Sequence, residues 1–231
     1  MKKQLVNPIT YQDHAVDVLA QVATYVQTRQ RFVLVTSVEI KGGSARDLGS
    51  LAVVNDTGKM TGYMSNGCID QDILLQALKC LQSGSARLLR YGDGSPFFDL
   101  ALPCGGALSV WIDPVPDKVA LVAAYTALLA REPASLTFNP QTTDVALAPI
   151  TISYQPKVAL TLAGRGAVFR ATAKVAHAIG FDVTGFSPDI HDLAAIRAYC
   201  KDAPTHVTSQ RTISTLDLDR ASGFLTLFHD H

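Results

Sequence analysis

The stretch Lys157-Val158-Ala159-Leu160-Thr161-Leu162-Ala163-Gly164-Arg165-Gly166-Ala167-Val168-Phe169 decides the fold of the C-terminal part of this 231-residue chain. Its apolar run predicts a buried strand, a glycine turn follows, and the residues up to Ile179 predict a helix. A second strand, a second helix and a third strand come after it: Phe181–Phe186, Ile190–Tyr199 and Ser222–Phe228. This βαβαβ order is typical of half of a doubly wound nucleotide-binding fold with parallel strands. We therefore predict an abbreviated Rossmann-like domain over residues 156–231.

The turn of this domain, with Gly164 and Gly166, is a candidate phosphate or dinucleotide site because its N–H groups open a helix. Two positions depart from a dinucleotide fingerprint. Phe169 stands where a third small residue belongs, and Ser187 stands where an acid would bind the ribose. We therefore disfavour NAD(P) as a cofactor. An NAD(P)-dependent oxidoreductase that uses His177 or His229 as its acid or base stays open as the alternative function.

The N-terminal part alternates helical and strand patterns. Residues 11–31 place apolar side chains on one helical face, with Asp13 near the start, and Phe32–Val38 predicts a strand buried on both faces. The later segments predict a hairpin, two strands and helices after Cys68 and from Lys118. We predict a mixed α+β domain over residues 1–130 and a proline-containing linker over 131–155, which makes the chain α/β overall.

Two short turns each set a cysteine beside glycine: Ser65-Asn66-Gly67-Cys68 and Pro103-Cys104-Gly105-Gly106. Glycine lets a bound group approach main-chain N–H donors, and successive donors attract anions. The helical pattern that follows Cys68 places its thiol at a helix N-terminus, where partial positive charge favours thiolate. Both cysteines could equally be small buried hydrophobes, since free cysteine is often buried. The turns therefore predict a ligand site on loops, with a structural role as the alternative.

Composition narrows the class of protein. Twenty basic and twenty acidic residues cancel, so no net charge attracts nucleic acid or a membrane surface. Four cysteines without a CxxC pair fit a reducing cytoplasm better than a disulfide framework. A parallel sheet of about 80 residues needs cover on both faces, so we expect a homo-oligomer, a homodimer in the simplest case.

Three motifs in order resemble those of the XdhC/CoxI family of maturation factors for molybdenum hydroxylases. The family's GS-x-PR-x-x-G loop is similar to Lys41–Gly49, its GGC-x-E turn to Ser65–Asp70, and its CGG turn to Cys104-Gly105-Gly106. The family's second domain carries a glycine turn similar to Gly164-Arg165-Gly166. Ala45 replaces the proline of the first motif, and Asp70 replaces the glutamate of the second.

The resemblance implies a chaperone rather than an enzyme. Such proteins bind the molybdenum cofactor, a molybdopterin, assist its sulfuration by a cysteine desulfurase, and pass it to an apo molybdenum hydroxylase such as xanthine dehydrogenase. It implies Cys68 and Cys104 as cofactor contacts and Arg46 as an anion partner, with backbone donors at Gly67, Gly105 and Gly106. Arg46 could instead be a solvated loop charge beside Asp47. A plain interaction module whose glycines serve only turns is a third hypothesis.

Overall fold

The structure is a computed structural model that describes residues 8–92, 105–142, 147–209, 216 and 218–228. The chain divides into two compact units, Met1–Tyr154 and Gln155–His231. Both units combine helices with sheets, so the predicted α/β class and the mixed N-terminal part are confirmed. Within the described residues, every helix is too short or too polar to cross a bilayer.

The first unit is built on a six-stranded sheet. Its elements are β1 (Ile9–Thr10), α1 (Ala15–Gln27), β2 (Phe32–Lys41), β3 (Leu51–Asn55), β4 (Met60–Gly62), α2 (Asp70–Ser83), β5 (Arg87–Gly92), β6 (Ala107–Asp113), α3 (Lys118–Leu129), β7 (Ala134–Phe138) and β8 (Ile150–Tyr154). The sheet order is β1-β4-β3-β2-β6-β5, and all its pairs are antiparallel except β1 with β4.

Helices cover both faces of this sheet. Val33 and Val35 of β2 face the cluster under α2, whereas Phe32 and Leu34 face the cluster under α1 and α3. Residues 32–38 are accordingly all buried. Successive side chains of a strand point to opposite faces of the sheet, and both faces are buried here. This burial explains why the sequence of β2 is a nearly continuous run of apolar residues.

The segment 131–155 is where the structure departs most from the sequence-based prediction. It carries β7 and β8, paired antiparallel as a hairpin within the first unit, rather than a linker. Along β7, residues alternate between buried and exposed, so its apolar side chains join the cluster under α1 and α3. Tyr154 adds a tertiary contact, since its hydroxyl donates a hydrogen bond to the Gly49 carbonyl oxygen at 2.7 Å.

The second unit contains one described parallel sheet. Its elements are β9 (Ala159–Gly164), α4 (Gly166–Ala178), β10 (Asp182–Ser187), α5 (Ile190–Ile196), β11 (Thr205–His206) and β12 (Ser222–Leu227), with a 3-10 turn after α5. The order β11-β10-β9-β12 places the first strand third, as doubly wound sheets begin. β11 is absent from the prediction because two exposed residues leave no apolar run. The strand that the sequence predicts as the third of this domain is β12, which is the fourth strand of the second unit in chain order.

The topology of the first unit gathers several loops at one end of its sheet. The register aligns Lys41 with Ala107, and Ala107 with Gly92. β3 begins and β4 ends toward the same side, since Ala52 pairs with Gly62. The connections that follow β1, β2 and β4, and the one that precedes β6, therefore all lie at what we call the Lys41 end of the sheet.

Candidate functional site

Cys68 lies at the tip of the turn that joins β4 to α2. Asn66 and Gly67 both adopt positive φ, 56° and 109°, which reverses the chain within two residues. Asn66, Gly67 and Cys68 are exposed, and Cys68 is a free thiol. The helix starts at Asp70, directly after the turn, as the sequence predicts. The turn therefore presents a thiol to solvent beside a helix N-terminus.

Asp70 holds the turn in this shape from beneath. Its side chain is completely buried, with an exposed fraction of 0%. One carboxylate oxygen accepts from the N–H groups of Met64 at 2.7 Å and Ser65 at 3.2 Å. The other accepts from the Gly67 N–H at 2.7 Å and the Ser65 hydroxyl at 3.1 Å. Four donors on one buried carboxylate make the turn rigid before any ligand arrives.

This network gives Gly67 a different role from the predicted one. Its N–H already donates to Asp70, which disfavours the predicted donation to a ligand. The glycine is required instead by its φ of 109°, which a residue with a Cβ atom rarely adopts.

The second cysteine turn is described only from Gly105 onward, and Cys104 lies outside the described residues. Gly105 is exposed, has a φ of +69° and has open space where a Cβ would lie, so it stays a candidate donor. Gly106 is buried. A Cβ on Gly106 would lie 2.0 Å from the Gly43 carbonyl oxygen. Gly106 therefore serves the close approach of two backbone segments, which disfavours its predicted contact with a cofactor.

Arg46 is paired inside the first unit. Its Nη1 donates to the Asp13 carboxylate at 3.0 Å and its Nη2 to the Asp13 carbonyl oxygen at 2.8 Å. Its side chain is only 12% exposed, so the alternative of a solvated loop charge is wrong. Asp13, whose own side chain is 69% exposed, therefore already places a negative charge against this guanidinium.

Two tyrosines connect Arg46 to the cysteine turn. The guanidinium lies 4.4 Å from the centre of the Tyr63 ring, and the Tyr63 hydroxyl donates to the Asp13 carboxylate. That hydrogen bond raises the pKa of Tyr63 above its ordinary value. Tyr11 packs on Tyr63 with ring centres 5.2 Å apart, and its hydroxyl would lie 4.0 Å from a Cβ on Gly67. Arg46, the two tyrosines and the Cys68 turn therefore lie in one region of the first unit.

The sequence did not single out Tyr11 or Tyr63, and it assigned Asp13 to the start of a helix. In the structure His14 precedes the first residue of α1, and Asp13 turns to Arg46, 33 positions away. No local pattern signals this cluster, because its members come from three separate connections at the Lys41 end.

The other two described cysteines are structural. Burial raises the pKa of Cys80, which lies in the core under α2, and burial also raises the pKa of Cys200 in the second unit. Raised pKa values keep both sulfurs as thiols at neutral pH. Of the described cysteines, Cys68 is the exposed one.

The glycine turn of the second unit joins β9 to α4. Gly164 is packed against the Leu227 backbone, which a Cβ would approach to 2.7 Å, and Gly166 has a φ of +83° with open space around it. The Gly166 N–H donates to the Asp192 carboxylate. The predicted turn is therefore present, and the Gly166 N–H at the start of α4 already donates a hydrogen bond within the protein.

Comparison with known proteins places the cysteine turn inside a defined family region. A family model described as "XdhC and CoxI family" matches residues 25–92, which contain β2 to β5 and the Cys68 turn. The molybdenum cofactor insertion chaperone PaoD of Escherichia coli K12 is 37% identical over 161 residues, 65% of this chain and 51% of that protein. The chain thus spans about half the length of this curated relative.

The fold also matches a solved structure. The crystal structure of a xanthine dehydrogenase from Bacillus halodurans superposes with a TM-score of 0.74 over 94% of this chain and 75% of that chain. Its sequence identity is 19%, so the likeness concerns the fold alone.

Proposed function

We propose that the chain, whose residues 25–92 match the XdhC and CoxI family model, is a member of that family and a non-enzymatic chaperone of the molybdenum cofactor. The relative from Escherichia coli, named a molybdenum cofactor insertion chaperone, supports this role. The matched family region contains the exposed thiol and the carboxylate that fixes its turn. The cargo would be the molybdopterin form of the cofactor.

The observation that carries the proposal is the exposed Cys68 thiol on a turn shaped by a buried carboxylate. Thiolate is a soft ligand of the kind that sulfur-bound metals prefer. A turn already fixed by four hydrogen bonds to Asp70 loses little conformational freedom on binding, which favours affinity. An exposed position also lets the cargo leave again. Both properties suit a carrier that binds and then transfers.

The neighbouring groups have narrower roles in this proposal. Cys104 is a second sulfur contact, and Gly105 is a backbone donor in the turn that precedes β6. Arg46 contacts an anionic part of the cargo in competition with Asp13, which already accepts hydrogen bonds from both terminal nitrogens. Gly67 and Gly106 shape the backbone and do not contact the cargo.

The finer parts of the proposal follow from the family resemblance. The cargo would be sulfurated by a cysteine desulfurase and delivered to an apo molybdenum hydroxylase such as xanthine dehydrogenase. The protein would act in the cytoplasm as a homodimer. No contact of the described residues favours the alternative of an NAD(P)-dependent oxidoreductase.

Replacing Cys68 with serine is expected to reduce cofactor binding at least tenfold, about 1.4 kcal/mol, since serine offers no soft ligand. Purified full-length protein is mixed with molybdenum cofactor, and the pterin retained after gel filtration is measured by fluorescence. The melting temperature should not change, because Cys68 is exposed. Cys200→Ser is the matched control and should bind like the wild type. Retention by Cys68→Ser equal to that of the wild type would contradict the proposal.

A further inference from the structure

The glycine turn of the second unit already contains an anion, supplied by the same chain. The Gly166 N–H donates to one oxygen of Asp192 at 2.6 Å, and the Arg170 side chain donates to the other. Asp192 comes from the first turn of α5, and its side chain is only 2% exposed. A buried carboxylate, paired with a cation, therefore caps the first residue of α4.

This position is the one that a phosphate takes in nucleotide-binding folds. The pyrophosphate of a dinucleotide normally accepts from the N–H groups of the glycine turn at the helix N-terminus, where the helix dipole favours negative charge. Here Asp192 supplies that negative charge and Arg170 neutralises it. A second anion at the same place would meet a fixed like charge and occupied donors.

Other groups that a dinucleotide would use are engaged too. The Arg165 N–H donates to the Leu227 carbonyl oxygen at 3.3 Å. The Asp189 carboxylate, which lies near the expected ribose site, accepts from the N–H groups of His191 at 2.7 Å and Asp192 at 3.3 Å. These backbone hydrogen bonds lower the pKa of Asp189 and make it the cap of α5.

Phe169 stands at the position where a dinucleotide-binding turn has its third small residue. Phe169 has an exposed fraction of 0% and packs between α4 and the sheet. The departure from glycine or alanine at this position therefore serves the core of the unit.

We propose that Asp192 is a built-in anion that closes the Gly164–Gly166 turn to phosphate-bearing ligands, including NAD(P) and nucleoside diphosphates. The βαβ scaffold keeps its shape while its anion site is filled from within. A phosphate could enter only by displacing a buried carboxylate and separating it from Arg170, and breaking a buried ion pair is strongly unfavourable. This inference is independent of the proposed chaperone function, since it concerns different residues and a different ligand.

Removal of the Asp192 carboxylate should open the site. In Asp192→Ala the Gly166 N–H and the Arg170 guanidinium both lose their partner and become donors for a phosphate. We expect the full-length variant to bind ADP at least tenfold more tightly than the wild type in isothermal titration calorimetry. Asp189→Ala is the matched control: it removes a carboxylate from the same helix start but leaves Asp192 on Gly166, so ADP binding should not increase.

Two results would overturn the proposal. One is a folded Asp192→Ala variant, shown by an intact thermal transition, whose ADP binding is no stronger than that of the wild type. The other is saturable ADP or NADH binding by the wild type that is lost in Arg170→Met, which would make the turn an open site. If Asp192→Ala fails to fold, the isosteric Asp192→Asn replaces it, with an expected gain of at least threefold, and no gain again overturns the proposal.

Discussion

Asp70→Ala should lower the free energy of unfolding of the first unit by about 4 kcal/mol, because three N–H groups and one hydroxyl lose a buried acceptor at roughly 1 kcal/mol each. Two of the donors, Met64 and Ser65, are themselves buried, so water cannot readily replace the carboxylate. The change should also release the Cys68 turn from its fixed shape. The substitution is therefore expected both to destabilise the core under α2 and to change the conformation around the exposed Cys68 thiol.

Urea denaturation followed by the fluorescence of Trp111 measures this effect. The chain has a single tryptophan, which is buried in β6, so the signal reports on the first unit. Asp72→Asn is the control, since it removes a charge from the same helix turn but leaves an oxygen to accept from the Tyr91 hydroxyl. Its expected cost is below about 1 kcal/mol. A cost for Asp70→Ala as small as that of the control would show that the carboxylate does not hold the turn.

Gly106→Ala is expected to cost about 3 kcal/mol, at the upper end of overpacking substitutions. The added Cβ would lie 2.0 Å from the Gly43 oxygen and 3.0 Å from the Lys41 oxygen. Both atoms belong to the backbone where β2 ends beside β6, so relief requires the two strands to part. The loops at the Lys41 end would then lose their alignment.

The comparison with Gly105→Ala separates this clash from backbone strain. Gly105 has a φ of +69°, and a Cβ there meets no atom within 4 Å. Its replacement should cost only the strain of a left-handed alanine, about 1 kcal/mol. Both variants are measured by the same tryptophan-monitored denaturation. Equal costs for the two variants would mean that the backbone at Gly43 moves aside freely.

The sequence predicted those parts of the fold that depend on local periodicity. The continuous apolar run of β2, the helix after Cys68 and the strand–turn–helix at Gly164 all appear where expected. The hairpin within 131–155 was missed, because the alternation of buried and exposed residues in each strand is only five residues long and prolines flank the strands. β11 has only two residues and gave no pattern at all.

The candidate site was less predictable, since its hydrogen bonds join distant segments. Tyr63 lies 50 positions from Asp13 in the sequence, and only the sheet register brings them together. Asp192 lies 26 positions from Gly166, on a helix whose sequence gives no hint of that contact. Even within one turn, the sequence identified Gly67 but could not show that its N–H faces Asp70.

The convergence of loops at the Lys41 end has a consequence for how the protein matures on the ribosome. β2 pairs with β6, which lies about 70 residues later in the chain, and the Gly105 turn reaches its place only through this pairing. Contacts of such long sequence separation require a large loop to close, which slows folding. A nascent chain that does not yet include β6 therefore lacks the strand that positions the Gly105 turn, and the loops at the Lys41 end are complete only after the first unit has been synthesised.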